Sequence, residues 1–197
     1  MKFLKENSYD IIRLYINQVG ITIFSLIMYT AAGMVGGDDD GLITAVKVAI
    51  SCFSSLFFFA LIYMAAWDWG AKDKIRIEGK RIACDKNKGI KMSFVANLPN
   101  VFLSVCTITF ALVFHFFDIG WAASTYAVFN LLLRFTDSMY IGLLSGLVSY
   151  FGELPAPINY SLQAVGFLLF AIVAMLVTHC GYRFGLVERR IFSFKKK

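Results

Sequence analysis

Four long apolar stretches dominate the pattern of hydrophobic and polar positions along this chain. They cover residues 15–35, 42–67, 94–117 and 160–182. A membrane span needs about 20 apolar residues, because a helix rises about 1.5 Å per residue and the hydrocarbon core is about 30 Å thick. In lipid, continuous runs of this length satisfy their backbone groups as helices. The pattern predicts an all-α integral membrane protein with four transmembrane helices in a single membrane domain, residues 1–197.

The positions of Lys and Arg predict how the helices are threaded. Of the 19 basic residues, 17 precede the first span, follow the fourth, or lie in the loop at 68–92 between the second and third. The connection at 36–41 carries three aspartates and no basic residue. Because basic loops remain cytoplasmic, we expect both termini and the 68–92 loop in the cytoplasm and the chain in the plasma membrane. The net charge of +6 then reflects topology and does not indicate nucleic-acid binding.

The basic residues of the cytoplasmic loop are candidates for contact with lipid. Anionic headgroups of the inner leaflet attract each nearby Lys or Arg by about 1 kcal/mol. Residues 75–82 fit a short hairpin that turns at Glu78 and Gly79. Alternatively, the helix of the second span projects beyond the membrane through Lys74. The candidate lipid-facing residues are Lys72, Lys74, Arg76, Lys80 and Arg81.

The segment at 118–159 is apolar but interrupted by charge. One further span would move the basic C-terminus outside, and two would have to share about 31 residues, too few for two full crossings. We therefore expect one or two helices that lie in the outer interface or re-enter the membrane and return. Arg134 and Asp137 are three residues apart on one helix face. They are either an ion pair that satisfies itself, or a polar gate or ligand contact at the outer edge of the membrane. Gly142 and Gly146 have the spacing of a close helix approach.

Polar residues inside the spans are the other functional candidates, because burying them without a partner costs free energy. Asn97 and Asn100 flank Pro99, which opens the helical ladder. They either repair that kink and pack against Asn17 and Gln18, or line a polar cavity for a substrate or ion. No carboxylate falls within the four predicted spans, which argues against a proton-coupled carboxylate relay.

The sequence carries no pattern for a cofactor, a metal or a catalytic centre. His115 and His179 are expected near opposite ends of their spans, so they cannot ligate one haem. Cys and carboxylate residues form no zinc-like cluster. A nucleophile beside a base is also missing. We therefore predict no catalytic, cofactor-binding or metal-binding residues.

Three stretches resemble small uncharacterised four-span membrane proteins of Gram-positive anaerobes. The resemblance implies a bacterial plasma membrane and carries no function. The stretches are Trp67-Asp68-Trp69-Gly70-Ala71-Lys72-Asp73, Asp85-Lys86-Asn87-Lys88-Gly89 and Gly181-Tyr182-Arg183-Phe184-Gly185.

Three function classes remain open from the sequence. The first is a non-enzymatic subunit that works in a homo-oligomer or beside a partner membrane protein, since four spans enclose little polar volume. The second is a small transporter or channel with a polar cavity near Asn97 and Asn100. The third is an intramembrane enzyme, for which the required cluster of reactive groups is not visible.

Overall fold

A computed structural model of the chain describes residues 2–35, 40–152 and 154–187. These ranges fold as helices joined by short connections, and no strand occurs in them. A short 3₁₀ turn, Ser138–Tyr140, separates α4 from α5. The helices are α1 (Lys2–Val35), α2 (Asp40–Glu78), α3 (Lys88–Phe117), α4 (Gly120–Thr136), α5 (Ile141–Ser149) and α6 (Ala156–Leu186).

Four of these helices are long and apolar enough to cross a membrane: α1, α2, α3 and α6. Each contains one of the apolar stretches predicted from the sequence. The count rises to five if the bent α4–α5 pair is one span. The prediction of an all-α protein with four membrane-spanning helices is therefore confirmed at the level of helix length and composition.

The helices extend further than the apolar stretches indicate. α2 continues to Glu78 and α3 begins at Lys88, so only residues 79–87 of the predicted 68–92 loop are outside helices. Ion pairs at i,i+4, Lys72 with Asp68 and Lys74 with Glu78, help to carry α2 past its apolar part. The hairpin considered for residues 75–82 is not formed, and α2 projects beyond Lys74.

The four long helices alternate in direction. α2 and α6 run parallel, because Gly181 packs on Tyr63 and Gly185 packs on Trp67. α3 runs against α6, with Gly89 beside Tyr182, and α1 runs against α2. The chain therefore has two ends: the one that carries residues 79–87, here called the basic end, and the opposite one, here called the far end. Both α4 and α6 begin at the far end.

Glycines allow α2 and α6 to approach closely at the basic end. A Cβ on Gly70 would lie 2.2 Å from the Tyr182 carbonyl oxygen, and one on Gly185 would lie 2.1 Å from the Trp67 carbonyl oxygen. The three stretches that carry the sequence resemblance meet here, since Gly89 also packs on the Tyr182 side chain.

The segment between α3 and α6 forms a bent hairpin that enters the bundle. α4 packs along α3, and α4 and the following 3₁₀–α5 unit are bent by 85° at Asp137. The tip of the hairpin, residues 137–140, is buried. α5 leaves the tip along α2, where a Cβ on Gly142 would lie 2.2 Å from the Lys47 carbonyl oxygen and one on Gly146 would lie 3.0 Å from Val48. The close approach expected from the Gly142–Gly146 spacing is thus formed, against α2.

Candidate functional site

The carboxyl group of Asp137 lies at the tip of the hairpin, between α1 and α3. Its Oδ1 accepts a hydrogen bond from Gln18 Nε2 at 2.6 Å and another from Asn100 Nδ2 at 3.1 Å. Asp137 is 3% exposed, and both amide side chains are buried. Asn100 Oδ1 is also buried and has no hydrogen-bond partner among the described residues. The arrangement, here called the Asp137 site, joins three helical elements through one carboxyl group.

Hydrogen bonds from side-chain hydroxyls to backbone carbonyls fix this tip to α1 on both sides of Asp137. Thr22 Oγ1 donates to the Thr136 carbonyl oxygen at 2.8 Å, and Ser138 Oγ donates to the Thr22 carbonyl oxygen at 2.7 Å. Because α4 has 17 residues, about 25 Å of helix lies between its first residue and Asp137. The carboxyl group is therefore far inside the bundle.

Arg134 and Asp137 do not form the ion pair considered from their spacing. Arg134 Nη2 donates to Gln163 Oε1 on α6 at 2.6 Å, and the guanidinium lies 5.2 Å from the centre of the Tyr160 ring. The helix ends between the two residues, so the i,i+3 geometry of a continuous helix face does not apply. Asp137 lies at the level of Gln18 and Asn100, and a gating role for Arg134 and Asp137 stays a prediction.

Two of the four amide residues predicted as candidates contact Asp137. Gln18 and Asn100 bind Asp137. Asn97 Nδ2 instead donates to the Ser93 carbonyl oxygen at 2.9 Å, so it does not repair the ladder opened at Pro99. Asn17 is half-buried.

A seam of hydroxyl groups runs from the Asp137 site toward the far end. The Tyr29 and Ser51 hydroxyls hydrogen-bond to each other, and Ser51 Oγ accepts from the Gly142 N–H at 2.9 Å. Ser25 Oγ and Ser54 Oγ are buried without hydrogen-bond partners in the part of the chain that the structure describes. We call this set the hydroxyl seam: Thr22, Ser25 and Tyr29 of α1, with Ser51, Ser54 and Ser55 of α2.

A small void lies on the other side of the Asp137 site, toward the basic end. Its volume is about 10 Å³, and the polar side chains lining it are Gln18, Ser93, Asn97 and Thr178. Such a volume accommodates about one water molecule. Asn97 lines this void and Asn100 does not, so the polar cavity predicted near both residues for a substrate or ion stays a prediction.

At the basic end, a buried aspartate joins α2, α3 and α6. Asp73 is 2% exposed, accepts from Lys88 Nζ at 2.7 Å and accepts from the Tyr182 hydroxyl at 2.9 Å. Asp73 falls in the loop predicted at 68–92, and Tyr182 is the last residue of the fourth predicted span. The only sequence signal for this cluster is that its members fall in the three stretches that carry the resemblance.

Beside this cluster lies an open basin of about 700 Å³. Asp73, Lys88 and Tyr182 line its floor, and Glu6, Arg76 and Arg81 line its rim. Near the rim, the Lys91 ammonium hydrogen-bonds Asp85 and holds the pKa of that carboxyl below its usual value. The basin therefore carries charges of both signs.

Of the five basic residues predicted to face lipid, three pair with acidic residues of α2: Lys72 with Asp68, Lys74 with Glu78 and Arg76 with Asp73. Lys80 and Arg81 are exposed in the 79–87 connection. Contact of these residues with anionic headgroups remains a prediction.

Comparison with known proteins finds no matching family model, no matching curated protein and no matching solved structure.

Proposed function

We propose that this chain is a small transport protein of the plasma membrane that moves a proton or a sodium ion, with Asp137 as the binding group. Both termini are cytoplasmic, as the distribution of Lys and Arg requires. The basic end of the bundle then faces the cytoplasm. The α4–α5 hairpin enters from the outside and returns to it, because α4 and α6 both begin at the far end.

The observation that carries the proposal is a carboxyl group buried at the hairpin tip with neutral amide donors. Among the described residues, no Lys, Arg or His is paired with Asp137 in an ion pair or hydrogen bond. A charge placed in a low-dielectric interior without a counter-charge costs several kcal/mol, so the carboxylate requires a proton or a cation. Ionisable residues at membrane depth mark ion pathways by default.

The hairpin itself supports the same conclusion. Helix breaks at membrane depth occur where the backbone is buried in protein or lines an aqueous route. The break at Asp137 is buried, and polar groups continue from it in both directions: the hydroxyl seam toward the outside, and the small void toward the cytoplasm. A displacement of the hairpin relative to α1 and α2 would open this closed, polar route.

Flux in proteoliposomes tests the function. A potassium diffusion potential is imposed with valinomycin, and internal pH and sodium are followed with fluorescent dyes. We expect the wild type to take up cations faster than empty liposomes, and Asp137→Asn to return the rate to that background, because the amide can neither bind a proton nor carry charge. Asp118→Asn is the matched control, since Asp118 caps α3 in a left-handed conformation that Asn also adopts.

Two results would overturn this function: a wild type that moves neither protons nor sodium above background, or Asp137→Asn that retains the wild-type rate. The alternative, an accessory subunit, would then take its place. It predicts a stoichiometric second protein when the chain is purified from native membranes in mild detergent. A homo-oligomer of transporting copies is compatible with the proposal.

A further inference from the structure

The void at the cytoplasmic side of Asp137 lies between the Asp137 site and the basin. Toward the hairpin, Gln18 lines the void and also donates to Asp137 Oδ1. Toward the cytoplasm, Thr178 lines the void, and Tyr182, one turn further along α6, lines the basin. The sequence of features from the cytoplasm is thus basin, Tyr182, void, Gln18 and Asp137.

The polar groups around the void suit a single water molecule. Thr178 Oγ1 lies 3.3 Å from Ser93 Oγ, and the two hydroxyls come from facing helices. Gln18 of α1 and Asn97 of α3 add amide groups to the lining. A buried water usually makes about three hydrogen bonds to such groups, so the void is a position where a water could pass a proton.

The surroundings of Asp137 favour a proton over an alkali cation. Two N–H groups, from Gln18 and Asn100, point at Oδ1, and their positive ends oppose a metal ion that needs several oxygen ligands. A proton needs a single oxygen. Amide side chains also serve both states of the carboxyl group, since their N–H donates to the carboxylate and their C=O accepts from the acid.

We propose that the transported ion is a proton, and that it passes between the basin and Asp137 through a water in this void, with Gln18 as the inner gate. This inference rests on the proposed transport function. A proton from the basin binds the void water, and the Gln18 amide turns aside. The water then transfers the proton to the Asp137 carboxylate: an O–H bond forms on the carboxyl group and one breaks on the hydronium, leaving neutral water.

Removing one hydroxyl of the void tests the route. Thr178→Val keeps the shape of the side chain and removes the group that faces the void. We expect proton uptake in proteoliposomes to fall about tenfold, because a buried hydrogen bond in the relay is lost. Thr109→Val is the matched control: Thr109 also donates to a backbone carbonyl of its own helix, but it is exposed. Its proton uptake should equal that of the wild type.

Folding is monitored separately by thermal unfolding and by labelling of Asp137 with a hydrophobic carbodiimide, read by mass spectrometry. Proton uptake at the wild-type rate in Thr178→Val would overturn the route through the void. Sodium uptake by the wild type at constant internal pH would overturn the proposal that the transported ion is a proton. In both cases the loss of flux in Asp137→Asn would leave the transport function standing. If the wild type moves neither ion, the transport function itself fails.

Discussion

Gln18 donates a hydrogen bond of 2.6 Å to Asp137, across 119 positions of the sequence. This bond joins the first membrane-spanning helix to the tip of a hairpin that begins at the far end of the bundle. It also places the side chain of Gln18 between the carboxyl group and the small void. The proposed roles of Gln18 as a gate and of Asp137 as the proton-binding group depend on this hydrogen bond.

The amide donors of Asp137 should be important for stability. In Gln18→Leu or Asn100→Leu, the carboxyl group loses a buried donor, and we expect the free energy of unfolding to fall by about 1–3 kcal/mol. The control is Asn17→Leu, which alters a half-buried amide on the neighbouring face of α1. Thermal unfolding in detergent measures the difference. Equal losses in all three variants would contradict the hydrogen-bonded site.

Close packing of α5 on α2 should tolerate no added side-chain atom at Gly142. A Cβ there would lie 2.2 Å from the Lys47 carbonyl oxygen, so Gly142→Ala should displace the hairpin and cost about 1–3 kcal/mol. Gly120→Ala is the control, because nothing lies within 4 Å of its Cβ position. Its effect should be within about 0.5 kcal/mol. A Gly142→Ala variant as stable as Gly120→Ala would show that α5 does not pack in this way.

Burial separates the two ion pairs at the basic end. Lys88→Met leaves the buried Asp73 carboxylate without its closest cation, and we expect a loss of about 1–3 kcal/mol, moderated because Lys88 is partly exposed. Lys72→Met breaks the exposed pair with Asp68, and we expect a change below about 0.5 kcal/mol. Denaturation curves of the two variants provide the comparison. A larger loss of stability in Lys72→Met than in Lys88→Met would show that the Asp73 cluster does not hold α2, α3 and α6 together.

Hydropathy alone predicts the four long helices, because the length of an apolar run sets whether a helix can cross the membrane. It fails at helix ends, since the charged residues after Trp67 continue α2 through local pairing. The same length argument correctly rejects two full crossings between α3 and α6. It does not detect a hairpin whose tip is covered by other helices, because such a tip need not be apolar throughout.

Part of the Asp137 site was predictable and part was not. Gln18 and Asn100 stand out because they are amides within apolar helices. Asp137 also stands out as a charge, but its depth follows from the bend in the hairpin, which no local pattern specifies. The absence of carboxylates from the four apolar stretches therefore excludes a carboxylate relay only if Asp137 stays near the outer surface. Long-range pairing of this kind is not encoded in residue spacing.

The sidedness of Gly120 and Gly152 tests the re-entrant hairpin most directly. Each is replaced by Cys in a background without the native cysteines and labelled in intact cells with a membrane-impermeant maleimide, with Gly79→Cys as the cytoplasmic control. We predict that Gly120→Cys and Gly152→Cys are both labelled and that Gly79→Cys is labelled only after permeabilisation. Labelling of just one of the first two would mean that α4 and α5 cross the membrane as a span, which would contradict the hairpin and the placement of Asp137 built on it.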